Sequence, residues 1–154
     1  MGSKELILLT NGFPYGQGEQ FLEVEIKILA KKFDKIYLFP ISKEEKKRVL
    51  PSNVEIVMFG SGAVFSPKKI VFSNFILILK VLFSTFSKRK RYKERGYKVH
   101  FNNLLAYLND AQGFCQLIDE RGLQGVKIYS YWFGSWVQIL SLSNAISKKR
   151  IKFV

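Results

Sequence analysis

Between Asn11 and Glu25 the chain reads Asn-Gly-Phe-Pro-Tyr-Gly-Gln-Gly-Glu-Gln-Phe-Leu-Glu-Val-Glu. Gly12, Gly16 and Gly18 punctuate a segment that follows a short apolar run, Leu6 to Leu9, and precedes a helical pattern. A strand, a glycine-rich turn and a helix in that order make an anion pocket. Glycines let the backbone approach a ligand, and the unpaired N–H groups at the helix start point at it. Nucleotide and sugar-phosphate enzymes grip their ligands at such turns. Spacing narrows the options. Gly16 and Gly18 fit two positions of a dinucleotide fingerprint, but Phe21 stands where the third glycine belongs. No Gly-Lys-Ser/Thr follows Gly12 or Gly16, so a Walker-type phosphate loop is not supported either.

A second group of residues with chemical potential is the aromatic block Tyr129, Tyr131, Trp132, Phe133 and Trp136. Aromatic residues at a strand end usually pack in a core. Trp132 and Phe133, however, fall at the carboxyl end of an expected strand, the edge where α/β proteins bind ligands. The reading adopted is a structural Tyr129 and a cleft-facing Trp132, on which a sugar ring could stack.

Other catalytic sets are missing. No His/Cys cluster has zinc-ligand spacing, and no metal or cofactor is expected. Cys115 falls on the apolar face of a helical pattern and reads as inert core. A single cysteine forms no internal disulfide, which suits a reducing compartment. His100 lies in a polar stretch and is given no catalytic part. Asp110, Asp119 and Glu120 share one helix and read as solvated. Glu19 has two candidate roles: bonding an acceptor hydroxyl, or, slightly favoured, stabilising the helix start.

These residues need elements to position them. Strands are expected at Leu6–Thr10, Lys35–Pro40, Asn53–Phe59 and Val126–Tyr131, with the start of a fifth at Ile151–Val154. Helices are expected over Gln20–Lys32, Ile70–Phe86, Asn102–Glu120 and Ser135–Ser147. In the first, Leu22, Ile26, Leu29 and Phe33 share a face that Phe21 and Ile28 widen, and Glu23 pairs with Lys27 outside. Gly122 is a candidate cap for the third. The order implies an α/β fold: a Rossmann-like three-layer sandwich with a mainly parallel sheet. The 154 residues fit one domain, 1–154, with a basic and hydrophobic helical insertion near 64–98.

The net charge of +13 favours anionic partners. The densest run is Lys88-Arg89-Lys90-Arg91-Tyr92-Lys93-Glu94-Arg95, with Lys68-Lys69 upstream and Lys148-Lys149-Arg150 near the end. Between the first two lies the apolar helical face Phe72, Phe75, Ile76, Leu79, Phe83 and Phe86. Its length is at the lower limit for a span, and Lys80 near its centre would cost roughly 2.5–3.5 kcal/mol on insertion. Two readings stay open. The helix is buried between protein layers, or it lies on a membrane with Lys68, Lys69, Lys80, Lys88, Arg89, Lys90 and Arg91 meeting lipid headgroups. No secretory leader is read at the N-terminus, and a cytoplasmic protein, peripheral on the inner face of the plasma membrane, is expected. A non-enzymatic basic module binding nucleic acid or anionic membrane is the alternative function. Nucleic acid is disfavoured, because the basic run holds only Tyr92 among aromatic residues and no nucleic-acid motif is present.

Phe13-Pro14-Tyr15-Gly16, then Gly18-Glu19, Phe21, Glu23 and Glu25, resembles the N-terminal signature of family 4 glycosyltransferases that build bacterial surface polysaccharides. Tyr129-Ser130-Tyr131-Trp132 resembles a second block of the same group, in the same order and at a fitting separation. The resemblance is strongest at residues 6–40 and 126–142 and weak from 60 to 100. It implies the N-terminal half of a GT-B fold, the acceptor-side domain of a nucleotide-sugar-dependent transferase in polysaccharide biosynthesis. The acceptor implied is a glycan or a polyprenyl-diphosphate-linked sugar. It places Gly12, Phe13, Pro14, Tyr15, Gly16, Gly18, Glu19, Tyr131, Trp132 and Phe133 at the substrate. The donor domain and its paired-glutamate motif are absent from this sequence, so a truncated chain without turnover is expected, its missing half supplied in cis or in trans.

Overall fold

Leu6-Ile7-Leu8-Leu9 and Ile36-Tyr37-Leu38-Phe39 are apolar on both faces, as strands covered on both sides must be, and all eight residues are buried. In the computed structural model, which describes residues 4–43, 47–58, 66–87, 97–132 and 134–147, they form the two central strands of a parallel sheet. The strands are β1 (Glu5–Thr10), β2 (Lys35–Pro40), β3 (Val54–Ile56) and β4 (Lys127–Ser130). Their order is β3-β2-β1-β4, and every pairing is parallel. β1 is therefore central, and its carboxyl end stands beside that of β4, where Leu9 is in register with Ser130.

The chain comprises two compact units. The first holds the sheet, helix α1 (Leu22–Lys32) and residues 123–137. Leu22 and Ile26 of α1 are buried against Leu6, Leu8, Ile36 and Leu38, with Leu29, Ala30 and Phe33 packed at the margin. The helical spacing thus gives the expected inward face, but Phe21 and Ile28 do not widen it: both are exposed. Acidic Glu23 and Glu25 in the first turn and basic Lys31 and Lys32 in the last suit the helix dipole. The expected Glu23–Lys27 pair is not formed, because Glu23 accepts from Arg48 Nε at 2.9 Å. On the opposite sheet face Trp136 is buried edge-on to Phe39 and donates its indole N–H to the Thr10 carbonyl at 2.9 Å.

β3 is shorter than expected, and Phe59 lies outside the described residues. Its entry is tied down by Asn53, whose Nδ2 donates to the carbonyls of Ala30 and Phe33, each at 2.9 Å. Those carbonyls belong to the end of α1, which lacks further helical partners for them. Asn53→Ala should cost about 1–2 kcal/mol, read as a lower urea midpoint with an unchanged slope.

The second unit holds α2 (Pro67–Ser73), α3 (Phe75–Ser87), α4 (Tyr97–Glu120) and residues 138–147, most of them in α5 (Ser135–Ile146). The stretch expected as one helix, Ile70–Phe86, is two. α2 starts with Pro67 after Ser66, whose side chain accepts from the Lys69 N–H. The break falls at Asn74, a buried side chain whose Nδ2 donates to the Ile70 carbonyl at 3.0 Å. Ile70 and Ile78 meet Leu108 of α4, joined by Phe101, Leu104, Leu142 and Ile146. α4 ends as expected at Gly122, whose φ of +66° is left-handed. Cys115 is half-buried with Sγ 3.7 Å from the Ser143 carbonyl, and burial pushes its thiol above the ordinary range. Asp110 is half-buried rather than fully solvated, and burial raises its carboxyl.

The face expected either to be buried or to meet lipid is exposed. Phe72 is 89% exposed, Ile76 71% and Phe83 76%, with Phe75 and Leu79 exposed between them. Among the described residues, these five side chains are not buried. Lys68, Lys69 and Lys80 are exposed on the same two helices. Among the described residues no helix is long and apolar enough to cross a membrane. Lys88, Arg89, Lys90 and Arg91, the expected fifth strand at 151–154 and the side chains of Phe86 and His100 lie outside the described residues.

Candidate functional site

The loop after β1 turns back on itself at Tyr15, whose N–H donates to the Gly12 carbonyl at 2.7 Å. The Phe13–Pro14 peptide bond is cis. Thr10, at the end of β1, donates its buried hydroxyl to the Phe13 carbonyl at 2.7 Å, fixing the loop to the strand. Gly16 follows with a φ of +64°, a conformation that a side chain resists. A Cβ at Gly12 would stand 3.4 Å from Ser42 Oγ and 3.9 Å from Glu19 Oε2, ordinary van der Waals distances, so space alone does not demand glycine there.

The closeness to Glu19 is the main fact of the site. Its carboxylate accepts from three successive amides of the loop. Oε2 lies 2.8 Å from the Gly12 nitrogen and 2.7 Å from that of Phe13, and Oε1 lies 3.2 Å from that of Asn11. Trp132, 113 residues away in sequence, donates its indole N–H to Oε1 at 2.7 Å. Each oxygen therefore takes two bonds, which fills the acceptor capacity of a carboxylate. Burial pushes the Glu19 carboxyl upward. The amides of Phe13, Gly12 and Asn11, with the Trp132 indole, outweigh that and hold it below the ordinary value.

This geometry corrects three expectations. The amides of Asn11, Gly12 and Phe13 are not open to a ligand phosphate, because an internal anion already occupies them. Glu19 has no lone pair left for an acceptor hydroxyl. Nor does it stabilise the helix start: α1 begins after Phe21 without a side-chain cap, and the Glu19 carboxylate reaches back into the loop. Glu19 itself adopts a φ of 56°, which costs a non-glycine residue about 1 kcal/mol or more. The four hydrogen bonds hold it there.

The two blocks read from the sequence meet here. Besides the Trp132–Glu19 bond, Tyr131 donates its hydroxyl to Glu25. The Phe21 ring lies 4.9 Å from that of Tyr131 and 6.2 Å from that of Trp132. Trp132 is 42% exposed and Phe21 is exposed beside it, so the loop carries an open aromatic edge next to a fully bonded carboxylate. Tyr129 packs with Tyr131 against the core, the structural role expected of it. Phe13, Pro14 and Tyr15 are buried, and their side chains support the loop instead of facing a ligand. Gly18 is exposed with nothing within 4 Å of an added Cβ. Phe133 lies outside the described residues.

Arg48 is a residue that sequence reasoning missed. It comes from the connection between β2 and β3, which crosses the loop through the Arg48 N–H on the Pro14 carbonyl at 2.9 Å. Its guanidinium donates from Nε to Glu23 and from Nη2 to the Gly16 carbonyl, both at 2.9 Å, and stands 5.6 Å above the Phe13 ring. A charged run at 44–48 gives no sign that one of its members turns inward. No group of His, Cys, Asp and Glu suited to a metal occurs among the described residues. Comparison with protein-family models, curated proteins and solved structures finds no match to this chain.

Proposed function

We propose that the chain is the acceptor-side domain of a glycosyltransferase acting on a glycan or lipid-linked acceptor at an anionic membrane surface. The reading is supported by one observation above others. The two blocks that resemble family 4 glycosyltransferases are joined directly by the Trp132–Glu19 and Tyr131–Glu25 hydrogen bonds at the carboxyl edge of β1 and β4. An exposed indole beside an exposed phenyl ring offers an apolar face for a sugar ring, and the edge is where ligands of parallel α/β sheets bind. Glu19 acts in this reading as a brace that sets the tilt of Trp132, and no catalytic group is assigned to this chain.

The test is saturation-transfer NMR with neutral disaccharides and with a short-chain isoprenyl diphosphate-linked sugar. Sugar ring protons should receive saturation, and Trp132→Ala should weaken the interaction about tenfold, the loss of one stacking partner. An absence of saturation on every probe, or equal saturation in the Trp132→Ala protein, would remove the reading.

A further inference from the structure

We propose that the groove between α1 and residues 47–51 is a binding site for a phosphate group, distinct from the Glu19 loop and independent of the transferase reading. The groove encloses about 840 Å³, and Gly16, Gln20, Lys27, Lys47 and Arg48 line it. All belong to the first unit.

Its charge is unbalanced. Glu23, the acidic residue of the lining, is already paired with Arg48 Nε. Lys27 and Lys47 are exposed and have no ion-pair partner among the described residues. Among the described residues, two ammonium groups and a guanidinium thus line the groove with one carboxylate, a net positive lining that calls for an anion.

Arg48 supplies the specific signal. Its Nη1 is buried and has no hydrogen-bond partner among the described residues. A buried donor left unmade is costly, and proteins rarely leave one without reason. Nε and Nη2 are fixed by Glu23 and the Gly16 carbonyl, so the fork is held in place at the groove wall. A phosphate that displaced the half-exposed Glu23 carboxylate from Nε would release the fork on that side and let Nη1 turn to a phosphate oxygen, while Lys27 and Lys47 neutralise its charge. Guanidinium forks match phosphate geometry, and free lysines add point charge. A neutral sugar hydroxyl would satisfy Nη1 and leave the lysines unmatched, so the phosphate is the better occupant.

The experiment is an amide-shift NMR titration with inorganic phosphate near neutral pH, against sodium chloride at equal ionic strength. Saturable shifts are expected at Gly16, Gln17, Lys47 and Arg48 with phosphate and not with chloride. The double variant Lys27→Ala/Lys47→Ala alters exposed, unpaired side chains and should fold normally while weakening phosphate about tenfold. Arg48→Lys retains the charge, removes the fork, and should weaken it as well. A dodecyl phosphate arm, below its micelle concentration, separates the sources. Binding well above that of inorganic phosphate identifies a lipid-linked phosphate, and equal binding identifies a soluble phosphoester. Shifts that are absent, that chloride reproduces, that survive the lysine substitutions, or that spread equally to Lys68 and Lys69 would overturn the proposal.

Discussion

Glu19→Ala is expected to lower stability by about 2–3 kcal/mol, the loss of charge-assisted bonds to three amides and an indole, discounted because water reaches Asn11 and part of the carboxylate. For a chain of this size that is a fall of about 5–10 °C in the thermal midpoint. The Phe13 amide suffers most, since it belongs to a buried residue and loses a partner at 2.7 Å. Glycine at the same position separates two contributions. It removes the carboxylate as alanine does, but it also relieves the left-handed backbone, so Glu19→Gly should be about 1 kcal/mol less destabilised than Glu19→Ala. Equal midpoints for the alanine variant and the parent protein would show that the carboxylate does not hold the loop.

The same bonds fix a pH dependence. The Glu19 carboxyl titrates lower in the folded protein than in the unfolded chain. Its contribution is therefore complete above the unfolded value, about 4.3, and disappears as the pH falls through the depressed folded value. Glu19→Gln should be less stable than the parent protein at neutral pH, and the gap should close in acid. Thermal midpoints of both proteins across that range test the sign. Indole fluorescence offers a further check, because Trp132 exchanges a carboxylate acceptor for a neutral amide in the variant.

The sheet was legible because its signals are local. Leu6–Leu9 and Ile36–Phe39 are too apolar for any place but the middle of a sheet, and a parallel pair needs a crossover of the kind that α1 provides. The meeting of Glu19 and Trp132 was legible only as a shared edge. No spacing rule links residues 113 positions apart, and the glycines pointed to a ligand where the chain supplies its own anion. A glycine that admits a phosphate and one that admits a carboxylate look alike in sequence. Gly12 gives its amide to Glu19, and a left-handed Glu19 is not a residue that propensity would select for that turn.

The helical region misled in a different way. Continuous apolar periodicity from Ile70 to Phe86 suggested one helix, and its richest face suggested either the interior or a membrane surface. The inward face is instead the sparser row Ile70, Asn74 and Ile78. Asn74 leaves helical geometry at a φ of −118°, and its side-chain amide shares the Ile70 carbonyl with its own N–H. The larger side chains are left outside, which reverses the usual relation between hydrophobicity and burial. Five large apolar side chains on two short helices make a patch of the kind that marks an interaction surface.

Phe72→Ser/Phe83→Ser is therefore expected to abolish most of the binding of this protein to anionic vesicles. Full burial of a Phe side chain is worth about 1.5–3 kcal/mol, and insertion at headgroup depth realises the lower end. Two such losses give about 3 kcal/mol, or roughly a hundredfold in the partition coefficient. The exposed lysines argue for lipid as the occupant of this face: Lys68, Lys69 and Lys80 stand on the same helices, and each contributes about 1 kcal/mol near an anionic surface. A protein partner with an apolar groove would need acidic residues at matching places, whereas a phosphatidylglycerol surface supplies charge everywhere. Sedimentation should accordingly show binding to phosphatidylglycerol vesicles, weaker binding to phosphatidylcholine, and a decline with salt as the lysines are screened. The serine variant should lose affinity for both lipids, while a Lys68→Gln/Lys69→Gln/Lys80→Gln variant should lose only the difference between them. If the parent protein stays in the supernatant at low salt, or if the patch instead drives a concentration-dependent dimer that the serines dissolve, the face belongs to something other than a bilayer.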